Sequence, residues 1–362
     1  TQVYVWGMVL SGIAYYLNWG FGLVFAALVT KELAIQAHNK GIQVDYRVLC
    51  GATWTMFFIW HMGLSGSAPL LVATPDHFMV KEMGVIPVSQ TIFSSYNLIL
   101  TIASVIIIMF MFTVVIPSNK NIKTMADLRP DLMQPAVVDA DDSIEIKTPS
   151  QWMTHTPWCT YIVVIMFAVY LFYHFVALGK SLDINVLNFM FLLLIMFLYK
   201  TPAKFLKGVK AATPASWGVI IQFPFYAGIM GMMVAANEQG VSLASVISQF
   251  FVNISNNVTF PMLSFLAAGI VNFFVPSGGG QWAVQGPIMM PAGANLGIDA
   301  GRTAMAIAWG DQWTNMIQPF WALPALGIAK LSARDIMGYL VIVTLFVGVV
   351  ACLGFLAWAA WF

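Results

Sequence analysis

Long uncharged apolar runs, separated by short polar connectors, set the pattern of this chain. Four of these runs are interrupted by glycine, serine or proline, at 3–30, 48–75, 259–298 and 303–329. The others are continuous, at 92–116, 158–178, 184–199, 215–236 and 336–362. A helix needs about 20 apolar residues to cross a bilayer. The pattern therefore predicts an all-α polytopic membrane protein, with a shorter amphipathic helix at the interface over 241–252.

The amino-acid composition also indicates a membrane protein. Of the 362 residues, 60% are hydrophobic and 9% are charged, which no ordinary soluble domain needs. The formal net charge is +1 and there is no basic stripe with interleaved aromatics, so no nucleic-acid partner is expected. The three cysteines are scattered without metal-ligand spacing or a disulfide framework. We expect no cofactor and no enzymatic activity, and the lipid bilayer as the surrounding partner.

The most informative interruption is VPSGGG at 275–280, inside a stretch that carries no charge from 239 to 298. In hydrocarbon, an unpaired backbone N–H or C=O costs several kcal/mol, so broken backbone persists only where protein or a water-filled cavity surrounds it. Such a break marks a binding site and favours a transporter.

Charge placement predicts the orientation. A short connector with lysines and no acid is expected in the cytoplasm; the lysines are Lys200, Lys204, Lys207 and Lys210. Counting spans outward, the long polar connector 117–152 and the turn at Lys330 are also cytoplasmic. These cytoplasmic assignments are consistent with one another only if residues 1–33 and 259–298 each enter and leave the membrane on one side, as re-entrant hairpins.

The two hairpins indicate an internal repeat. Residues 1–116 form the first predicted repeat and 153–362 the second, with 117–152 as a mostly irregular cytoplasmic connector. Each repeat contains a re-entrant hairpin, then a discontinuous transmembrane helix, then a continuous span. One hairpin opens inward and the other outward. Inverted repeats with paired broken helices are typical of secondary transporters, whose substrate sites lie at the breaks.

Small and polar residues at the breaks are the candidate substrate ligands. Glycine lets the backbone approach a ligand closely, and the N–H groups of a helix that starts at Gly280 would suit a carboxylate. The alternatives are a flexible kink and, for the small hydroxyls, helix packing. The candidates are Asn18, Gly20, Gly22, Ser65, Gly66, Ser67, Asn272, Ser277, Gly278, Gly279, Gly280, Gln281, Gln312 and Asn315.

Two ionisable side chains are candidates for coupling. Asp311 is the only acid inside a predicted span, and such groups usually serve function. The alternative is a structural acid, wetted at a helix end or paired with Arg302. His61 would suit proton coupling; the alternative is a hydrogen-bonded packing residue. A sodium site is predicted near Asn18, Asn272, Asp311 and Asn315.

A family resemblance rests on segments in both predicted repeats. They are NWGFGLV (18–24), GLSGSAPLLVATP (63–75), QFPFYAGI (222–229), NFFVPSGGGQWAVQGP (272–287) and GDQWTNMIQPFWALPALGIA (310–329), which runs on to RDIMGY (334–339). At these residues the chain resembles the AtoE family of bacterial short-chain fatty acid transporters, part of the wider ion-transporter superfamily. The connector 117–152 has no recognisable counterpart.

The resemblance implies a function. It implies uptake of short monocarboxylates, such as butyrate or acetoacetate, across the bacterial inner membrane. By analogy with the superfamily it also implies a homodimer and coupling to sodium or protons. Family members are longer at the N-terminus, so their opening helices are expected to be missing from this chain.

Three other functions fit parts of the pattern. A dicarboxylate or citrate carrier of the same superfamily would need to hold a second charge, yet no Arg or Lys lies within a predicted span. In an anion channel the glycine breaks would form a filter, but channels tend to be rings of short chains. An intramembrane hydrolase could use His61 and Ser65, which are four residues apart but lack an orienting third group.

Overall fold

The computed structural model describes residues 1–117, 121–133, 146–180 and 182–361, and all their regular structure is helical. Contacts divide the chain into two units: Thr1–Gln134 together with Val219–Phe362, and Pro135–Gly218. Among the described residues, five helical segments are long and apolar enough to cross a membrane, or six if one bent pair forms a single span. The predicted polytopic, all-α class is confirmed.

The larger unit begins with a helical hairpin and a broken helix. Its first helices are α1 (Gln2–Leu17), α2 (Trp19–Asn39), α3 (Tyr46–Thr55) and α4 (Ser67–Val72). α1 and α2 are antiparallel, since Gly7 lies against Leu33 while Gly22 lies against Tyr15. A Cβ at Gly22 would lie 2.8 Å from the Tyr15 Cα, so this close turn requires glycine. α2 alone, at 21 residues, has the length of a span, and the re-entrant path stays a prediction.

The first broken helix lies where the sequence predicts it. After α3 the chain tightens into a 3₁₀ helix at Met56–Met62, turns at 63–66, and resumes as α4. The whole segment from Tyr46 to Val72 is span-length and mostly buried. It therefore lies inside the fold, surrounded by protein rather than lipid.

A continuous span and part of the connector follow. They comprise α5 (Val80–Met83), α6 (Ser95–Phe110), which continues as a π-helical turn at Met111–Val115, and α7 (Met125–Leu128). The connector 117–152, predicted to be mostly irregular, includes short helical elements among its described residues. It contains α7, a 3₁₀ turn at Pro130–Met133 and a further helix described below, because Thr124 and Thr148 each form a capping box that starts a helix. Connector residues 118–120 and 134–145 lie outside the described residues.

The first part of the connector docks through Asp131. Its carboxylate accepts hydrogen bonds from the Arg129 guanidinium at 3.0 Å and the Lys330 ammonium at 2.7 Å. These two partners, Arg129 first, hold the pKa of Asp131 well below its usual range. Arg129 also donates to the Lys330 carbonyl at 3.1 Å. This part of the connector is therefore fastened to the end of the second broken helix.

The smaller unit contains α8 (Pro149–His155), α9 (Trp158–Phe172), α10 (Ile184–Tyr199) and the start of α11 (Pro202–Val234). α9 packs on α10 through Phe167 and Phe189, whose ring centroids are 4.2 Å apart. The chain bends by 116° between α10 and α11. One expectation is wrong here: Lys204, Lys207 and Lys210 lie in the first turns of α11, not in a loop, since lysine favours helix and Pro202 suits a first turn.

The second half of the larger unit repeats the hairpin motif. Its helices are α12 (Leu243–Asn253), α13 (Phe260–Asn272) and α14 (Gly278–Asn295). α13 and α14 are antiparallel, because Gln281 Nε2 donates to the Ala268 carbonyl at 2.7 Å while Ser264 lies beside Met289. The turn between them covers 273–277, at the predicted break. α12 forms where an interfacial helix is predicted, and it buries one face against α13 and α14.

The chain ends in a second broken helix and a long span. These are α15 (Ala300–Asn315), α16 (Pro319–Ala329) and α17 (Ala333–Trp361). Residues 316–318 interrupt the path between α15 and α16, where the sequence predicts the second break. α15 is buried along most of its length and packs on α13, α14, α4 and α17. It is the central helix of the larger unit.

Candidate functional site

The first hairpin tip is bound to the first helix break. The N–H of Leu64 donates to the Tyr16 carbonyl at 2.8 Å, and the N–H of Trp19 donates to Ser65 Oγ at 2.9 Å. Unpaired backbone groups at a break need such partners when they are buried. The tip and the break therefore complete each other's hydrogen bonding.

The second hairpin tip is bound to the second break in the same manner. The Asn272 amide donates to Asn315 Oδ1 at 2.8 Å and to Thr314 Oγ1 at 2.9 Å. The Gln318 amide donates to the carbonyls of Asn272 and Phe273, at 3.4 and 3.3 Å. Each hairpin tip thus holds the broken helix of its own half of the chain.

A buried His–Asp pair joins the two halves. His61 Nδ1 lies 2.8 Å from Asp311 Oδ2, and each side chain is 1% exposed. His61 Nε2 accepts the N–H of Ala68, the second residue of α4, at 3.1 Å. Since Nε2 is an acceptor, the ring proton is on Nδ1 and is donated to Asp311. The imidazole is therefore neutral in this arrangement, and its tautomer is fixed by its two partners.

Polar and aromatic groups hold this pair in place. The Trp60 ring stacks on the His61 ring with centroids 4.4 Å apart. The Asn315 amide donates to Asp311 Oδ2 at 3.3 Å, which links the pair to the second hairpin tip through Asn272. Oδ1 of Asp311 and Oδ1 of Asn272 are buried and have no hydrogen-bond partner in the described part of the chain. These two oxygens can therefore still accept hydrogen bonds from a ligand or bind a cation.

Gly278 brings the second hairpin tip directly against this pair. A Cβ at Gly278 would lie 3.0 Å from His61 Nε2 and only 2.6 Å from Cε1, a distance that real Cβ atoms essentially never show. It would also lie 3.2 Å from the Ser67 Cβ. At Gly279 the nearest atom, Leu71 Cδ1, is 3.7 Å away, which is an ordinary contact. Of these two glycines, only Gly278 lacks room for a side chain.

The start of α14 offers hydrogen-bond donors beside an apolar cavity. Ser277 Oγ accepts the N–H of Gly280 at 3.3 Å, while the N–H groups of Gly278 and Gly279 bind no described residue. The cavity has a volume of about 80 Å³. Its lining residues are Ala227, Met230, Val275, Pro276, Ser277, Gly280 and Phe320. A small anion with a short apolar tail matches these donors and this lining.

The structure places the predicted substrate residues in separate groups. Around the His61–Asp311 pair lie Ser67, Asn272, Gly278, Gln312 and Asn315. Ser277 and Gly280 line the cavity, and Gly279 lies between them in the chain, nearest to Leu71. On the side of the first hairpin tip lie Asn18, Gly20, Gly22, Ser65 and Gly66. Gln281 is buried inside the second hairpin, where it donates to Gln285 at 2.7 Å.

The predicted sodium set is divided. Asn272, Asp311 and Asn315 form one connected network. The Asn18 side chain instead caps α2, accepting the N–H of Phe21 at 2.9 Å. Asn18 and Asn272 are therefore not equivalent positions: the residue that caps α14 as Asn18 caps α2 is Ser277. Among the described residues, no three His, Cys, Asp or Glu side chains are grouped to hold a metal ion.

The contacts of Asp311, Ser65 and His61 differ from two of the alternatives given above. Asp311 pairs with His61, not with Arg302. Ser65 Oγ accepts from Trp19, and both ring nitrogens of His61 have other partners, so these two residues do not form a nucleophile–base pair. Gln312 donates to the Phe57 carbonyl at 2.8 Å and adds a second link between the halves.

Sequence reasoning missed the pairing of His61 with Asp311, which are 250 positions apart. Each was a candidate by itself, and their complementary chemistry was the available signal. Thr314 also contributes, since its hydroxyl donates to the Gly269 carbonyl at 3.0 Å while accepting from Asn272.

Comparison with known proteins gives a consistent result. A family model described as short chain fatty acid transporter matches residues 2–358. A predicted short-chain fatty acid transporter of Escherichia coli K12 is 38% identical over 344 residues, covering 95% of this chain and 76% of that protein. One of Haemophilus influenzae is 38% identical over 354 residues, with the same coverage of 95% and 76%.

A third relative matches over a shorter range. A predicted basic amino acid antiporter of Escherichia coli K12 is 30% identical over 119 residues, covering 31% of this chain and 23% of that protein. No solved structure matches the chain.

Proposed function

The chain belongs to the short-chain fatty acid transporter family, and on that premise we propose that it is a secondary transporter of short-chain fatty acids in the bacterial inner membrane. The observation that best supports this within the fold is the start of α14. There, the N–H groups of Gly278 and Gly279 bind no described residue, and the adjacent Ser277 and Gly280 line a small apolar cavity. A short-chain fatty acid matches both features, because its carboxylate can accept from the N–H groups and its hydrocarbon tail can fill the cavity.

The carboxylate is assigned to the N–H groups of Gly278 and Gly279. The first N–H groups of a helix have no partner inside the helix, and the helix dipole favours an anion at that end. The tail is assigned to the cavity lined by Val275, Met230 and Phe320. A dicarboxylate is disfavoured because none of the lining residues carries a positive charge to hold a second carboxylate.

A proton is the proposed coupling ion, and His61 its carrier. Protonation at Nε2 would turn this atom from an acceptor into a donor, so the bond from the Ala68 N–H would break. The imidazolium would remain beside the Asp311 carboxylate, which stabilises it. Because Gly278 packs against the same ring, protonation of His61 would change the contacts at the proposed carboxylate site.

Sodium is a second candidate, favoured by the two unpartnered acceptors, Oδ1 of Asn272 and Oδ1 of Asp311. Purified protein in liposomes separates the ions. With proton coupling, an inward proton gradient alone drives butyrate accumulation beyond that in protein-free liposomes, and a sodium gradient without it does not. The reverse result would assign coupling to sodium, and accumulation with neither gradient would contradict a coupled carrier.

Chain length provides the test of the substrate. Affinity should rise from acetate to butyrate, because each buried methylene contributes about 0.8 kcal/mol, or roughly fourfold. It should fall sharply beyond pentanoate, once the cavity of about 80 Å³ is full. Competition against labelled butyrate uptake measures the series.

A matched variant ties this series to the cavity. Phe320→Leu enlarges the cavity, so the fatty acid with the highest affinity should become one or two carbons longer. If affinity keeps rising through octanoate in the unaltered protein, or if succinate outcompetes butyrate, the monocarboxylate assignment is wrong.

A further inference from the structure

A second and larger cavity lies on the side of the fold, between α6 and α17. This groove has a volume of about 570 Å³, against about 80 Å³ for the cavity beside Ser277. Its walls are mostly hydrocarbon and aromatic, contributed by Ile99, Leu100, Ala103, Val350, Phe355 and Trp358. It shares no lining residue with the proposed substrate site.

The groove opens onto a surface that hydrocarbon would cover. On α6, Ile102 and Ile106 are 60% and 59% exposed, and on α17 Val349 and Leu353 are 58% and 62% exposed. α6 and α17 both belong to span-length apolar segments. In a membrane, these exposed side chains contact lipid, so the groove is filled from the bilayer.

One of the residues lining the groove, Arg302, has a cationic side chain. The guanidinium carbon of Arg302 is 5.9 Å from the centre of the Tyr96 ring. Its Nε is buried without a hydrogen-bond partner, and no acid in the described part of the chain forms an ion pair with it. A guanidinium at an apolar surface is costly unless an anion or water satisfies its donors.

The position of Arg302 along the spans corresponds to the headgroup region. Tyr96 is near the start of α6 and Trp358 near the end of α17, with ring centroids 5.6 Å apart. Tyr and Trp at the ends of spans are typical of the membrane–water interface. Arg302, at the start of α15, therefore lies where lipid phosphates lie, and the groove extends from there along the spans.

We propose that this groove binds an anionic phospholipid, with its phosphate on Arg302 and an acyl chain between α6 and α17. The planar guanidinium matches a phosphate with two parallel hydrogen bonds, and basic pockets between membrane helices are known to hold anionic headgroups. A zwitterionic lipid of the same chain length fills the groove equally but adds a positive charge beside Arg302. Charge therefore selects the occupant, and the acyl chain provides the affinity.

Native mass spectrometry of the full chain in mild detergent tests the proposal. With phosphatidylglycerol and phosphatidylcholine of identical acyl chains at equal concentration, phosphatidylglycerol should be retained at least tenfold more. Arg302→Gln should reduce that retention about tenfold and leave phosphatidylcholine unchanged. The matched control is Arg334→Gln, an exposed arginine at the opposite end of α17, which should retain phosphatidylglycerol like the unaltered protein.

Two further measurements keep the proposal falsifiable. Ala103→Phe, which fills the groove without changing charge, should lower retention as Arg302→Gln does, and inorganic phosphate should not compete. Equal retention of both lipids by the unaltered protein would overturn the proposal even if both variants failed to fold. If Arg302→Gln weakens a homodimer while lipid retention is unchanged, the groove is an interface between copies and the proposal is wrong.

Discussion

Replacing Gly278 by alanine should lower butyrate uptake by more than tenfold, while Gly279→Ala should change it by less than twofold. The added Cβ at Gly278 would lie 2.6 Å from His61 Cε1, so either the hairpin tip or the imidazole must move. Overpacking of this kind typically costs 1–3 kcal/mol, and about 1.4 kcal/mol corresponds to a factor of ten. Initial uptake rates in liposomes, normalised to folded protein, measure the effect.

Gly279→Ala is a matched control because it makes the same chemical change one residue further along α14. Its Cβ would meet only Leu71 Cδ1, at 3.7 Å. Equal loss in both variants would show that backbone flexibility of the glycine run matters, and not the contact with His61. Unchanged uptake by Gly278→Ala would show that the hairpin tip is not part of the transport site.

Replacing Asp311 by asparagine should abolish accumulation driven by a proton gradient, while exchange of labelled for unlabelled butyrate continues. The amide still accepts the Nδ1–H of His61, so the neutral arrangement is kept. The amide carries no negative charge, so it cannot stabilise the imidazolium as the carboxylate does. A hydrogen bond to a charged group contributes about 1.5–3 kcal/mol, and this contribution is lost. Accumulation ratios and counterflow rates, measured in the same liposomes, separate the two activities.

Asp299→Asn, on the same helix, provides the control. Asp299 caps α15 by accepting the N–H of Arg302 at 3.0 Å, and asparagine is an equally good cap. This variant should accumulate butyrate normally. If Asp311→Asn keeps the proton dependence of the unaltered protein, the His61–Asp311 pair has a structural role only.

The breaks in the helices could be predicted from the sequence because their signal is local. Glycine, serine and proline at 63–67 and 275–280 interrupt apolar runs, and no other packing is needed to read them. Asp311, Gln312 and Asn315 were visible for the same reason, as polar side chains in an apolar run. Helix, break and helix therefore appear in the structure where the pattern predicts them.

The contacts between breaks could not be predicted, because they depend on how distant segments pack. The sequence shows three glycines at 278–280 as equal, and only the approach of His61 distinguishes the first from the second. The same limit applies to Asn18 and Asn272, which occupy similar places in the pattern and have different partners. The lysines at 204–210 were wrongly assigned to a loop. They lie in polar turns at the start of α11, and the apolar pattern gives no signal for a helix that begins before the apolar run.

The contact between Gly278 and His61 also has a consequence for how such proteins diverge. A hydrogen at position 278 and an imidazole at position 61 fill one space together, so neither residue can be enlarged alone. A relative with alanine at 278 should carry a smaller side chain at 61, and would then lose the partner of Asp311. Substitutions at these three positions should therefore arise together, and lineages that have lost the histidine should have changed their coupling ion.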